Sequence, residues 1–185
     1  MKDFVGFLAG FMVFAIASGL VLHLAEADTE KDEATGARSG VAIWLLAFFH
    51  ANTVIAAAYA AVAKIPLPET PLLVGGLVIA ALGWLLFAWA TVTLVRRADF
   101  EGLQTTKLVT DGPFRFSRHP QSLGWTILLL GIAIASRSVI ALGLVVAFGL
   151  FASRHARIEE RQLATRFGTA FEQYRSRTPV TPGLS

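Results

Sequence analysis

The sequence contains no cysteine. This absence excludes a thiolate nucleophile, a zinc–thiolate site, an iron–sulfur cluster and covalently attached haem. Charge is also scarce: Asp, Glu, Lys and Arg make up 16% of the 185 residues, whereas soluble domains average about 25%. Hydrophobic residues make up 55% of the chain. This composition excludes a soluble enzyme, a secreted disulfide-stabilised domain and a disordered chain.

Long apolar runs take the place of charge. Residues 4–25, 41–63 and 72–95 contain no Asp, Glu, Lys or Arg, and residues 121–153 are interrupted only by Arg137. A helix crosses a bilayer in about 20 residues, so each run is long enough to span the membrane. The first run is longer than the apolar region of a signal peptide, and it predicts a transmembrane helix. The link 64–71 carries three prolines, which end one helix and start the next.

Arg137 divides the fourth run into two halves. Each half would form a helix about 24 Å long, shorter than the hydrocarbon core of about 30 Å. Because a charge in mid-membrane is costly, this run predicts a short helical hairpin with Arg137 at its tip, whose second arm continues beyond Ser153 as a polar helix. We therefore expect an all-α fold: a polytopic membrane helical bundle of five transmembrane helices, the last two a short hairpin, plus a cytoplasmic C-terminal helix.

The distribution of basic residues predicts the orientation. With the N-terminus outside, all Lys and Arg residues except Lys2, Lys64 and Arg137 lie in the inside segments 26–39, 96–120 and 154–185. Cytoplasmic loops carry such an excess. We expect the N-terminus outside, the C-terminus in the cytoplasm and a bacterial inner-membrane location. The net charge of +3 then follows from this rule, and we expect no nucleic-acid partner.

The polar segment before the hairpin holds the first candidate residues. Asp-Gly-Pro at 111–113 is a turn signal, and Pro120 suits the first position of a helix, where its missing N–H costs nothing. A helix N-terminus flanked by Arg115 and Arg118 can bind a carboxylate or a phosphate. Alternatively, these arginines only anchor the helix at anionic head groups.

The polar continuation of the hairpin holds the second set. Arg157 and Glu160 are neighbours at i, i+3, and His155 and Glu159 at i, i+4. Adjacent helical side chains point about 100° apart, so we expect at most one glutamate to face a given pocket. The alternative is a solvated, salt-bridged helix. Further along, Leu163, Phe167, Phe171 and Tyr174 follow helical spacing and predict an apolar stripe for packing.

Other signals are weak. His50, Asn52 and Thr53 share one predicted helix without a carboxylate, which favours interhelical hydrogen bonds over a metal site. We expect no metal. Gly75, Gly76 and Gly83 indicate close helix packing.

Two motifs resemble those of a known superfamily. The first motif is Leu108-Val109-Thr-Asp-Gly112-Pro-Phe114, followed by Arg118-His119-Pro120 and Gly124. The second is Arg157-x-Glu159-Glu160, followed by Phe167-Gly168, Phe171, Tyr174 and Pro179. They resemble the signatures of isoprenylcysteine carboxyl and phospholipid methyltransferases. The order, the spacing and the intervening hairpin agree over residues 96–185. The resemblance implies two regions: three N-terminal transmembrane helices (1–95) and a methyltransferase-like catalytic region (96–185).

The resemblance also implies an integral membrane methyltransferase that uses S-adenosylmethionine, with a lipophilic small-molecule acceptor and membrane lipid as partners. The cofactor would be held by residues of the polar loop, the start of the hairpin and the emerging helix: Thr106, Lys107, Leu108, Val109, Phe114, His119, Pro120, Gln121, Ser122, Glu159 and Glu160. Arg157 and Glu160 would be the catalytic residues, and Arg157 or His155 would lie toward the acceptor.

The chain departs from the family pattern at four positions. Ser122 and Phe114 stand where the family has tyrosines, Thr106 where it has histidine, and His155 where it has arginine. The lost tyrosine hydroxyls keep a second interpretation open, in which the chain is a non-catalytic structural or assembly subunit of a membrane complex. A third is an NADPH oxidoreductase, because sterol reductases resemble this superfamily in their C-terminal halves.

Overall fold

The computed structural model describes residue 16 and residues 64–97, 100–101, 104–105 and 107–180. The predicted spans 4–25 and 41–63 lie outside the described residues, apart from Ile16, which is helical and exposed. His50, Asn52 and Thr53 also lie outside. The elements, in chain order, are α1 (Glu69–Arg97), β1 (Phe100–Glu101), β2 (Gln104–Thr105), a 3₁₀ helix (Gly112–Arg115), α2 (Pro120–Ser136), α3 (Val139–Phe167) and α4 (Thr169–Arg177).

Helix α1 covers the predicted span 72–95. It follows the proline-rich link and begins with Glu69 in its first turn, and it ends with Arg96 and Arg97 in its last turn. All three charges complement the helix dipole. Helices α1 and α3 are each long and apolar enough to cross a membrane, and α2 is a shorter apolar helix. The prediction of five transmembrane helices extends beyond the described residues and stays a prediction.

The predicted hairpin is confirmed. Helix α2 ends at Ser136, and Arg137 takes the left-handed conformation with φ 56°. Ser138 then caps α3, because its hydroxyl accepts a hydrogen bond from the Ala141 backbone N–H at 3.2 Å. The two arms pack through a core that contains Leu129 and Ala133 of α2, with Ala141, Leu144, Val145 and Phe148 of α3.

Helices α1 and α2 approach each other through glycine. A Cβ added at Gly76 or Gly83 of α1 would collide with the backbone of α2, and a Cβ at Gly124 or Gly131 of α2 would collide with that of α1. Close packing is thus confirmed at Gly76 and Gly83. It is not confirmed at Gly75, whose Cβ position has no atom within 4 Å, since the next residue on a helix points to another face.

The all-helical expectation needs two refinements. Between α1 and the 3₁₀ helix, Phe100 pairs with Thr105 and Glu101 with Gln104 in a short antiparallel hairpin. Near the C-terminus, Gly168 adopts φ 51° and separates α3 from α4. The predicted stripe is therefore divided between two helices: Phe167 ends α3, while Phe171 is fully buried on α4.

The bundle has two distinct ends. At one end the hairpin tip binds the link before α1: the Ile65 N–H donates to the Arg137 carbonyl at 2.8 Å, and the Arg137 guanidinium meets Glu69 at 2.9 Å. At the other end lie the two polar segments, 107–119 and 154–180. The contacts between these two segments form the candidate site.

Candidate functional site

His119 lies at the centre of the contacts between the polar segments. It immediately precedes α2, and its ring is buried between two carboxylates of α3. Its Nδ1 is 3.1 Å from Oε2 of Glu159, and its Nε2 is 3.3 Å from Oε1 of Glu160. The expectation that at most one glutamate faces this region is wrong, because the two nitrogens lie on different edges of the ring and so meet both side chains.

Arg118 joins the same cluster. Its Nε donates to Oε1 of Glu160 at 2.7 Å, and both side chains are nearly buried, with 11% and 13% exposed. Its Nη1 donates to the carbonyls of Thr178 at 2.7 Å and Arg175 at 3.0 Å. Arg118 is therefore bound within the fold and is not a loose head-group anchor. Arg115 is exposed.

Residues 174–180, here called the C-terminal strap, hold the segment before α2 in place. The Tyr174 hydroxyl donates to the Phe114 carbonyl at 2.7 Å. The Ser117 hydroxyl donates to the Val180 carbonyl at 2.5 Å, and the Arg118 N–H donates to the Pro179 carbonyl at 3.0 Å. Burial raises the pKa of Tyr174, so its hydroxyl remains a donor. The strap thereby fixes the backbone that carries His119.

The ion pairs set the protonation states of the cluster, which lies beyond the apolar part of α3. Burial alone would lower the pKa of His119, but the charges and hydrogen bonds of Glu159 and Glu160 raise it to about 9. Burial would raise the pKa of Glu159, but His119 holds it well below its usual range. The hydrogen bond from His119, together with Arg118, lowers the pKa of Glu160. At neutral pH the cluster therefore holds an imidazolium between two carboxylates.

The other predicted site residues differ in burial. Phe114 and Pro120 are buried. The Gln121 side-chain amide donates to the Thr91 hydroxyl of α1 at 3.0 Å. Thr106 lies outside the described residues. The rest are half-buried or exposed: Ser122, Leu108 and Val109 are half-buried, and Lys107 is exposed.

Arg157, a predicted catalytic residue, lies outside the cluster. It is exposed on α3, while its expected neighbour Glu160 pairs with Arg118 instead. His155 is half-buried and stacks on Phe151, with ring centroids 6.1 Å apart.

Sequence reasoning missed the joining residues. The sequence predicts anion binding or anchoring for Arg118 and an apolar stripe that includes Tyr174, and it predicts no contact between the two polar segments through either side chain. The available signal was position: Arg118 directly precedes His119, and Tyr174 lies in the tail motif. Neither fact indicates that an arginine will bind the carbonyls of residues 57 and 60 positions away.

A comparison with protein families matches residues 71–170 to the phospholipid methyltransferase family. The match covers more than half of the chain. The chain belongs to this family. The matched segment begins inside α1, earlier than the motifs, and it includes Arg118, His119 and both glutamates. No curated protein and no solved structure matches the chain.

Methyltransferases typically use S-adenosylmethionine, and the chemistry of the cluster fits that group. The cofactor carries a sulfonium, an ammonium, a carboxylate and ribose hydroxyls. Glu159 retains 47% of its side chain exposed while one oxygen meets His119, and a carboxylate can accept further hydrogen bonds from a hydroxyl or an ammonium donor. Glu160 is enclosed by Arg118 and His119. Within the described ranges, no group of three or more His, Asp or Glu residues is arranged to hold a metal ion.

Proposed function

We propose that the protein transfers a methyl group from S-adenosylmethionine to a lipophilic acceptor, at the end of the bundle where His119 lies between Glu159 and Glu160. The observation that carries the proposal is the position of this cluster. It lies inside the segment that matches the methyltransferase family, at the point where the apolar helices α2 and α3 meet polar chain. On the basis of the Lys and Arg distribution, we assign this end to the cytoplasmic face.

The cofactor supplies a methyl group already activated by the positive sulfur. In the transfer the sulfur–methyl bond would break as a bond forms from the methyl to an acceptor nitrogen, oxygen or sulfur. The sulfonium would become a neutral thioether, and an amine or thiol acceptor would release its proton to water. The protein is then required chiefly for in-line placement and for exclusion of water. In this proposal Glu159 accepts hydrogen bonds from the cofactor, and His119 holds that carboxylate in place.

Glu160 has a different role in the proposal. Its carboxylate binds both Arg118 and His119, so it positions the segment before α2. Phe114, Pro120, Gln121 and Ser122 would form the adjoining wall. In this proposal Arg157 does not contact the reacting atoms, because it is exposed and lies outside the cluster.

The acceptor is proposed from the surroundings of the site. The helices beside it expose large apolar side chains, among them Leu85 and Trp89 on α1 and Leu150 on α3. A lipid-embedded acceptor can therefore approach through the membrane. A prenylated thiol or carboxylate and a phospholipid amine both meet this requirement.

The test starts with the full-length protein in detergent, titrated with S-adenosylhomocysteine by calorimetry. Binding at micromolar concentration is expected, and absence of binding up to millimolar ligand would reject the proposal. Lipid extracts of cells with and without the protein are then compared by mass spectrometry. An enzyme of this class leaves a lipophilic species heavier by one methylene, about 14 Da.

A structural or assembly subunit is the second candidate. The observation in its favour is that Arg118, His119 and Glu160 already satisfy one another inside the fold, as a purely structural crosslink would. This candidate predicts no binding of S-adenosylhomocysteine and co-purification with other membrane proteins. Protection against heat by NADPH, without any effect of S-adenosylhomocysteine, would instead favour the reductase interpretation.

A further inference from the structure

One face of α3 changes from apolar to basic along its length. Its members follow one another at intervals of three or four residues, and all are exposed: Val139, Gly143, Val146, Leu150, Arg154, Arg157 and Arg161. With 3.6 residues per turn, such spacing keeps them on one side of the helix. We call this set the α3 outer stripe. It lies opposite the face that packs in the core through Leu144 and Phe148.

The apolar half of the stripe is strongly exposed. The exposed fractions are 51% for Val139, 64% for Val146 and 70% for Leu150. In a helix long and apolar enough to cross a membrane, side chains of this kind are accommodated by lipid hydrocarbon. We therefore expect lipid hydrocarbon to cover the apolar half of the stripe. Beyond Leu150 the helix approaches the membrane surface.

The basic half begins after Leu150, the last apolar member of the stripe. Arg157 lies about 10 Å further along the helix axis than Leu150, at 1.5 Å per residue. Arg161 lies one turn beyond, and its Nε donates to the Arg157 carbonyl at 3.4 Å. Its side chain thus folds back along the helix toward the membrane. We therefore expect both guanidinium groups at the depth of the lipid phosphates, and guanidinium is the side-chain group best suited to bind phosphate.

We propose that the basic half of the α3 outer stripe binds the phosphates of anionic membrane lipids. The apolar half brings the bilayer to the stripe, and the positive charge selects anionic over zwitterionic head groups. This interaction is separate from the cofactor cluster, because Glu159 and Glu160 lie on other faces of α3 and meet His119. It does not depend on the proposed methyl transfer.

The test measures lipid retention by the full-length protein. The double variant Arg157→Gln/Arg161→Gln removes two charges from the stripe. The control Arg166→Gln/Arg177→Gln removes two exposed charges elsewhere: Arg166 lies on another face of α3, over the Phe167 ring, and Arg177 ends α4. Native mass spectrometry then counts phosphatidylglycerol retained from nanodiscs that contain equal phosphatidylglycerol and phosphatidylcholine.

We expect wild type and control to retain phosphatidylglycerol preferentially, and the stripe variant to bind it about 10- to 30-fold more weakly, since each cation near a membrane surface contributes about 1 kcal/mol. The preference should decrease as salt screens the charges. An equal loss in both double variants, or an unchanged preference in the stripe variant, would overturn the proposal.

A second measurement leaves every arginine in place. Because the chain has no cysteine, a single Cys at Val146, Leu150 or Thr165 can carry a spin label in liposomes. Labels at 146 and 150 should be accessible to oxygen in the hydrocarbon, and a label at 165 to a water-soluble relaxation agent. A label at 150 that reports water, or one at 165 that reports hydrocarbon, would place the arginines at the wrong depth and reject the proposal.

Discussion

Arg118 and Glu160 form a nearly buried ion pair of 2.7 Å across 42 residues of sequence. The arginine belongs to the segment before α2 and the glutamate to the polar end of α3. The same guanidinium also binds two carbonyls near the end of α4. One side chain thus joins three parts of the chain, and it places His119, its neighbour in sequence, against both glutamates.

The first prediction concerns Glu160. Glu160→Gln removes the charge that compensates Arg118 and His119, so we expect a loss of about 2 kcal/mol in unfolding free energy, because hydrogen bonds to charged groups contribute about 1.5–3 kcal/mol. Thermal unfolding followed by circular dichroism in detergent measures it. Glu172→Gln, on exposed Glu172, is the control and should leave the melting temperature unchanged. Full stability in Glu160→Gln would show that the pair is not a structural crosslink.

Glu159 should respond differently. Glu159→Gln also removes a charge that meets His119, but the half-exposed side chain is screened by solvent, so we expect a smaller loss of stability than in Glu160→Gln. If Glu159 accepts hydrogen bonds from the cofactor, the Kd for S-adenosylhomocysteine should rise about tenfold, which corresponds to about 1.4 kcal/mol. Calorimetry on the two glutamine variants separates the roles. Unchanged affinity in Glu159→Gln together with a folded, non-binding Glu160→Gln would reverse the assignment.

Stability should depend on pH through His119. Its pKa in the folded protein is raised to about 9 from the usual 6.5, so its contribution is fully present below pH 6.5 and is lost as the pH rises toward 9. The groups that interact with it are Glu159, Glu160 and His155. We expect the melting temperature to fall over this window, and His119→Gln to reduce the slope. An equal slope in the variant would assign the effect to other groups.

Glu159 and Glu160 should affect the stability of the protein at acidic pH. Their pKa values are lowered in the folded protein, so the stability they contribute is present above their usual pKa of about 4.5 and is lost as the pH falls below it. The cluster should therefore contribute most between about pH 4.5 and 6.5. Melting curves recorded from pH 3 upward measure this limit, and a protein whose stability is unchanged down to pH 3 would contradict it.

Two adjacent glycines provide a matched pair on α1. Gly76→Ala places a methyl group against the α2 backbone, and overpacking of this kind costs about 1–3 kcal/mol. Gly75→Ala enters open space and should stabilise the helix by up to about 1 kcal/mol through helix propensity. Thermal unfolding of both variants in the same detergent tests the α1–α2 interface. Equal effects of the two substitutions would show that this interface is not tight.

The C-terminal strap offers a further prediction. Tyr174→Phe keeps the ring next to Phe171, 6.3 Å between centroids, but removes the hydrogen bond to the Phe114 carbonyl. We expect a loss of about 1 kcal/mol, measured as a lower melting temperature. Ser176→Ala, which removes a hydroxyl bonded only to its own helix at Gln173, should have a smaller effect. If Ser176→Ala lowers the melting temperature as much as Tyr174→Phe, the hydrogen bond from Tyr174 to Phe114 does not specifically stabilise the fold.

Local chemistry made several features predictable. An arginine in mid-run, preceded and followed by serine, predicts a hairpin tip because a charge is costly in hydrocarbon, and the structure places Arg137 there in the left-handed conformation. Pro120 begins α2 as expected. The family was predictable from local sequence as well, because its motifs are defined by residue types at fixed positions.

The composition and order of residues alone determined a membrane-type helical chain, its hairpin and the two polar segments that contain the candidate site. Only the tertiary structure decided which charges meet. Helical spacing indicates neighbours within one helix and so paired Glu160 with Arg157, whereas the fold pairs Glu160 with Arg118 and leaves Arg157 exposed. The reason is physical: an ion pair between helices depends on their relative position, which the glycine contacts of α1 with α2, the turn at Arg137 and the bend at Gly168 establish together.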